Sequence, residues 1–150
     1  MMKVDFMVQA LVEARTAGSR GEVPVGAVLV EATTGAVLAR AGNRVEELSD
    51  PTAHAEVLVI REAAAASCNA RLPQCDLYVT LEPCALCAAA IAFARLRKVV
   101  FGAYDPKGGG VEHGPRIFEQ PTIHHVPEVI GGVMETECAT VLRVFFSERR

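Results

Sequence analysis

Leu77-Tyr78-Val79-Thr80-Leu81-Glu82-Pro83-Cys84-Ala85-Leu86-Cys87 is the stretch whose reading decides the architecture. Residues 76–81 are rich in β-branched, aromatic and aliphatic side chains, which predicts a strand. Pro83 stops that strand and opens a helix over 84–94, because a proline in the first helical turn sacrifices only an N–H that would have no partner there. A strand running straight into a helix is the unit from which layered α/β domains are assembled.

Working outward, the same alternation recurs. Residues 4–17 place Val4, Met7, Val8, Leu11 and Val12 at helical spacing, with Arg15 near the end and Gly18 just past it. Residues 23–31 read as a Val-rich buried strand, Thr33-Thr34-Gly35 as a turn and 36–40 as a second strand, together a hairpin. Residues 41–50 are polar and irregular; a helix follows over 53–66 with Thr52 or Asp50 as its cap. A strand is expected at 98–103, then a loop over 104–120 with Pro106 and Gly108 to Gly110 and a short helix late in it. A short strand at 122–126 and a terminal helix at 135–149 complete the pattern. No repeat, linker or low-complexity block interrupts it, so 1–150 reads as one α/β domain around a mixed sheet.

The composition agrees. With 51% hydrophobic and 22% charged residues, the chain has the makeup of a compact protein rather than a disordered one. A formal charge of -3 gives no global sign of a nucleic-acid partner, although a local basic rim remains open. Asp5 stands where a secretory signal would build its apolar segment, and the apolar run 84–94 is about half the ~20 residues of a membrane-spanning helix. A cytoplasmic protein is therefore expected. Among five cysteines, two lie three apart beside a proline, which in a reducing compartment favours metal over disulfides.

His54 at one helix start and Cys84 and Cys87 at the next form a three-donor zinc set, leaving one tetrahedral position open for water. A structural zinc site would fill all four positions with protein. Residues three apart share a helix face, so both sulfurs can reach one ion, and helix N-termini favour thiolates. Two thiolates cancel the zinc charge and acidify bound water less than three imidazoles would, so a partner base is needed. Glu56, two residues after His54, is placed to serve as that general acid and base. Cys68, Cys75 and Cys138 read as core or surface residues, and His113, His124 and His125 as surface residues, with His113 a candidate RNA contact.

The pattern H-x-E followed by P-C-x-x-C is the general signature of zinc nucleobase deaminases. The chain resembles, more closely, the bacterial tRNA-specific adenosine deaminases of the cytidine deaminase superfamily. The likeness rests on V-P-V-G-A-V-L-V (Val23 to Val30), G-N-R (Gly42 to Arg44), D-P-T-A-H-A-E (Asp50 to Glu56), L-Y-V-T-L-E-P-C (Leu77 to Cys84), V-V-F-G-A (Val99 to Ala103) and E-C-A-T-V-L-R-V-F-F (Glu137 to Phe146). It implies a three-layer cytidine-deaminase-like fold with a five-stranded mixed sheet and helices on both faces. It also implies one zinc per subunit, a homodimer, and conversion of adenosine to inosine at the wobble position of an anticodon stem-loop, chiefly of an arginine tRNA.

By the same resemblance Asn43 hydrogen-bonds the flipped-out base, and backbone N–H groups around Ala55 and Cys84 hold the water or the base edge. Asp105 touches the sugar-phosphate region, and Phe145 or Phe146 lines the pocket or stacks on neighbouring nucleotides; helix geometry, which points adjacent residues in different directions, sends one of the two into the core. Glu82 reads as a supporting or capping carboxylate, and Gly108 to Gly110 as a place where RNA backbone comes close. Lys107, Arg116, Arg143, Arg149 and Arg150 are the candidate basic rim. Tyr104 stands where some members carry a basic residue, and no Lys-rich tail follows Arg150, which implies fewer phosphate contacts.

Three other functions compete. A free-base or nucleoside deaminase acting on guanine or cytosine would use the same zinc machinery. A non-catalytic zinc-stabilised RNA-binding subunit would have no use for Glu56. A thiol oxidoreductase needs both sulfurs free, which a resident zinc forbids.

Overall fold

The computed structural model describes residues 3–149, with side chains from Asp5 onward, and Val4 of the expected stripe and Arg150 of the candidate rim lie outside the described side chains. The chain runs α1 (Lys3–Ser19), β1 (Gly26–Glu31), β2 (Val37–Gly42), α2 (Val45–Leu48), α3 (Ala55–Ser67), β3 (Cys75–Leu81), α4 (Ala85–Phe93), β4 (Lys98–Ala103), a 3₁₀ turn (Ile117–Glu119), β5 (Glu128–Ile130) and α5 (Glu135–Ser147). The five strands form one sheet in the order β2-β1-β3-β4-β5. β1 is antiparallel to both β2 and β3, while β3, β4 and β5 run parallel.

Two apolar layers cover the sheet. On one face α1 and α5 pack Phe6, Met7, Leu11 and Cys138 against Val28, Val30, Tyr78 and Val100. On the other, α3 and α4 pack Val59, Ala63, Ala88 and Ile91 against Leu29, Leu77, Val79, Val99 and Phe101. Residues of β1 and β3 thus alternate between the two cores, the period of two that a covered strand requires. This is the expected three-layer arrangement.

The register gathers one end of the sheet into a single edge. Gly26 pairs with Gly42, Ala27 with Val79, and Leu81 with Ala103. The residues entering β1 and those leaving β2, β3 and β4 consequently emerge side by side. Ligands of open α/β sheets bind beyond the carboxyl ends of parallel strands, and that is this edge.

Several local expectations need correcting. Val8 and Val12 are exposed, and the buried face of α1 is Phe6, Met7, Ala10, Leu11, Ala14 and Ala17. The reason is close packing: a Cβ on Gly26 would stand 2.0 Å from the Ala10 carbonyl oxygen, so α1 rides on β1 through small residues. Large side chains therefore mark only one side of the true stripe, and Gly18 lies inside the helix. Residues 45–48 form a short helix within the stretch read as irregular. No strand forms at 122–126; β5 lies at Glu128–Ile130, after Pro127, whose missing N–H is tolerated only at a strand's start or edge. α3 and α4 begin at Ala55 and Ala85, later than read, and α5 ends at Ser147.

Candidate active site

His54 and Cys84 are the N-caps of α3 and α4, each with extended backbone (φ -74, ψ 149 and φ -73, ψ 177). Cys87 lies one turn into α4. Neither Thr52 nor Asp50 caps α3. Instead Asp50 Oδ1 accepts from Thr52 N at 2.8 Å and Thr52 Oγ1 at 2.7 Å, closing the turn that delivers His54 to the helix start. His54 Nδ1 lies 3.5 Å from Cys84 Sγ and 3.3 Å from Cys87 Sγ. The three donor atoms all fall within 4.8 Å of one another.

The electrostatics of this trio suit a cation. Hydrogen bonds from Cys87 and His54 pull the Cys84 thiol down to about 4, whereas Cys87, the donor and more deeply buried, is pushed up. His54 is raised by its bond to Cys84. Metal binding to such a set releases the protons that its donors carry. Two sulfurs and one imidazole match zinc, with one tetrahedral position left for water.

Glu56 is 4% exposed and its side chain reaches Cys87. Burial pushes its carboxyl up to about 7, which brings a carboxyl group into the range where it both takes and returns protons near neutrality. A cleft of about 620 Å³ opens over these groups, lined by His54, Glu56, Cys84, Asn43, Asp105, Phe145 and Arg149 among others.

Asn43 leaves β2 and its Oδ1 accepts the Ala55 N–H at 2.9 Å. The Ala55 N–H, expected to face the substrate or its water, is thereby taken; the Asn43 amide NH₂ remains to meet a ligand. Asp105 leaves β4 and its Oδ1 accepts from Lys107 N and Gly108 N, at 3.2 and 2.9 Å. Phe145 is buried and lines the cleft, while Phe146 is exposed and does not. The Arg149 guanidinium lies 3.4 Å above the Phe145 ring centroid and donates to the Phe145 carbonyl at 3.1 Å. Lys107, Arg116 and Arg143 lie away from the cleft lining. Arg116 pairs with Glu119 at 3.7 Å, and Arg143 donates to Thr140 Oγ1 at 3.3 Å.

Glu82 does more than the sequence indicated. Its buried carboxylate accepts Asp105 N at 3.0 Å, Val111 N at 3.2 Å, Glu112 N at 2.9 Å and His113 N at 3.2 Å, and meets His113 Nδ1 at 2.8 Å. Burial alone would raise this carboxyl, but the backbone donors and His113 hold it below its ordinary value. His113 is thus tied to Glu82, and His125 Nε2 is tied to the Leu96 carbonyl at 2.7 Å; neither is a free surface imidazole. The glycine run serves the protein itself. A Cβ on Gly109 would lie 2.4 Å from Glu82 Oε2, and one on Gly110 would lie 2.6 Å from Ala85 N.

Glu22 was not anticipated from the sequence, yet it is 2% exposed and lines the cleft. Its only sequence signal is an acid directly before the apolar run Val23–Val30, a place where a burial-prone segment rarely carries charge.

A convergent His-Cys-Cys set with an open position and a buried carboxyl beside it defines a hydrolase of the zinc-dependent deaminase class. Residues 2–103 match the cytidine and deoxycytidylate deaminase zinc-binding region. The chain is 60% identical over 148 residues to a tRNA-specific adenosine deaminase of Agrobacterium fabrum, covering 99% of this chain and 96% of that protein. It is 47% identical over 145 residues to the tRNA-specific adenosine deaminase of Bacillus subtilis, covering 97% and 89%. A solved structure from a study of A-to-I editing by tRNA:A34 deaminases at the wobble position superposes with a TM-score of 0.89 at 61% identity, covering 92% of this chain and 99% of that one. This chain belongs to the tRNA-specific adenosine deaminases, within the cytidine deaminase superfamily.

Proposed function

We propose that this protein hydrolyses the 6-amino group of the adenosine at the wobble position of a tRNA anticodon, leaving inosine and ammonia. The observation that carries this reading is the opening of the His54-Cys84-Cys87 trio and Glu56 onto one cleft whose walls bear Asn43, Asp105 and Phe145. A bound zinc ion held by the three donors would supply the Lewis acidity that makes water a nucleophile at neutral pH. Glu56 takes a proton from the attacking water and returns protons to the ring nitrogen and to the departing ammonia, so oxygen replaces nitrogen at C6. The Asn43 amide NH₂ orients the flipped-out base, and Phe145 supplies an apolar wall against it. Asp105 meets the sugar-phosphate region beside the target. Arg149, which lines the cleft, is the nearest candidate phosphate contact, with Lys107 and Arg116 as candidates for RNA beyond it, and an arginine tRNA is the preferred substrate.

We further propose a single domain that works as a homodimer in the cytoplasm. The described residues contain no helix long and apolar enough to cross a membrane. Phe93, 70% exposed at the end of α4, and the exposed Leu86, two turns earlier in the same helix, offer apolar surface that a second copy would cover.

The test is inosine formation on an anticodon stem-loop carrying a wobble adenine, beside free guanine, with Glu56→Ala as control. Inosine in the stem-loop alone, reduced at least about 100-fold in the control while zinc is retained, supports the reading. Guanine turnover with an untouched stem-loop refutes the substrate and leaves the metal site standing.

A further inference from the structure

A clasp outside the metal centre fixes one wall of the cleft. α1 ends in a tight turn where Arg20 N and Glu22 N both donate to the Ala17 carbonyl at 3.0 Å. Gly21 between them has φ +89, a left-handed conformation that glycine adopts without steric cost. That turn sends the Glu22 side chain inward. Its two carboxylate oxygens accept the Glu46 N–H at 3.1 Å and the Glu47 N–H at 2.8 Å, the first-turn donors of α2 that have no partner within so short a helix. From outside, Arg20 Nη2 donates to the Asn43 carbonyl at 3.1 Å while its Nε lies 3.5 Å from Glu47 Oε1. Glu47 is also paired with Arg44.

We propose that Glu22 is a positioning residue for the substrate base. Its buried carboxylate pins α2 and, together with Arg20, sets the segment from Asn43 to Glu47 that forms one wall of the cleft. The inference rests on the deaminase reading above and deepens it. A carboxylate is the required group, because it presents two acceptors and no donor to two backbone N–H groups. Glutamine would set an NH₂ against one of them. In this clasp the side chains of Arg20 and Glu22 bond to Asn43, Glu46 and Glu47, and neither bonds to His54, Cys84 or Cys87. Loosening it therefore weakens how the base is held in both ground and transition states, which appears as a higher KM with an unchanged kcat.

The experiment compares the zinc-loaded wild type with Glu22→Gln and Arg20→Ala, reading stem-loop kinetics and amide hydrogen exchange at Glu46 and Glu47. Loss of one hydrogen bond to a charged acceptor accelerates exchange at these amides about tenfold and raises KM by a similar factor in Glu22→Gln, with kcat within about twofold. Arg20→Ala, on the surface, shifts both quantities the same way by about two- to threefold. It carries the test alone if Glu22→Gln does not fold. Unchanged exchange at Glu46 and Glu47, or a fall in kcat and zinc content with KM unmoved, overturns the proposal. Absence of inosine formation by the wild type is a different failure, that of the deaminase reading, and leaves the exchange result interpretable.

Discussion

Removing the Glu82 carboxylate should detach the loop that carries Asp105, and the cost can be worked from its contacts. Oε1 holds Asp105 N and His113 Nδ1, and Oε2 holds Val111 N, Glu112 N and His113 N. Glu82→Gln keeps one acceptor oxygen. With that oxygen turned to the Val111–His113 amides, the NH₂ faces His113, which can accept through its other tautomer, and Asp105 N, which cannot. One unsatisfied backbone donor costs about 1–3 kcal/mol. Glu82→Leu fills the space and strands all four backbone donors. Some will reach water as the loop lifts, so the loss is about 3–5 kcal/mol, the range for breaking a buried charged network. Urea unfolding of the zinc-loaded proteins reads both numbers as shifts in midpoint at constant slope. The Gln variant should lie between wild type and Leu, and stem-loop KM should rise in the same order as Asp105 loses its anchor. A Leu variant within about 0.5 kcal/mol of wild type would show that the loop is held by something other than this carboxylate.

Other outcomes follow from the same geometry. In metal-free protein, burial raises Glu56 from 4.5 to about 7, so the folded state holds a proton that the unfolded state has already lost. The resulting stability is fully present below pH 4.5 and lost as pH rises through 7; Glu56→Gln should remove up to roughly 3 kcal/mol of this pH dependence in parallel urea melts. Gly110→Ala drives a methyl group into the α4 N-terminus and should destabilise by about 1–3 kcal/mol, with zinc content falling as Cys84 shifts; an unchanged melt and zinc content would contradict the close approach. Phe93→Asp should halve the apparent mass in gel filtration if α4 forms the homodimer contact, and an unchanged elution volume would place the contact elsewhere.

The legible part of this protein was the part where chemistry and local structure coincide. Pro83 and the paired thiols fix a helix start and a ligand set at once, so the strand–helix reading and the metal reading supported each other. α1 was harder, because Ala10, Ala14 and Ala17 are small enough to escape a hydrophobic-stripe count and yet form its closest approach to the sheet. β5 was misplaced because only three residues pair with β4, too few for an alternating pattern. Glu22 and the full role of Glu82 were hidden for a different reason. Each satisfies backbone N–H groups more than twenty residues away, and a backbone donor leaves no residue-type signature in the sequence.

These two buried carboxylates do the same work on opposite sides of the cleft. Glu22 grips the segment that leaves β2, and Glu82 grips the one that leaves β4, while His54 and Cys84 start the two helices between them. The metal trio sits on regular elements whose positions are set by the core. The base-facing wall sits on the start of the one-turn α2 and the Asp105 loop on irregular backbone, and both have N–H groups without partners in a ladder or helix, which take them from buried acids instead. Chemistry is thus built into the rigid layers, and substrate recognition into segments held by one carboxylate each. A change in the recognition segments can leave the zinc site intact, whereas a slip of β3 by one residue would move Cys84 by ~3.3 Å and turn Leu77 and Val79 out of their core.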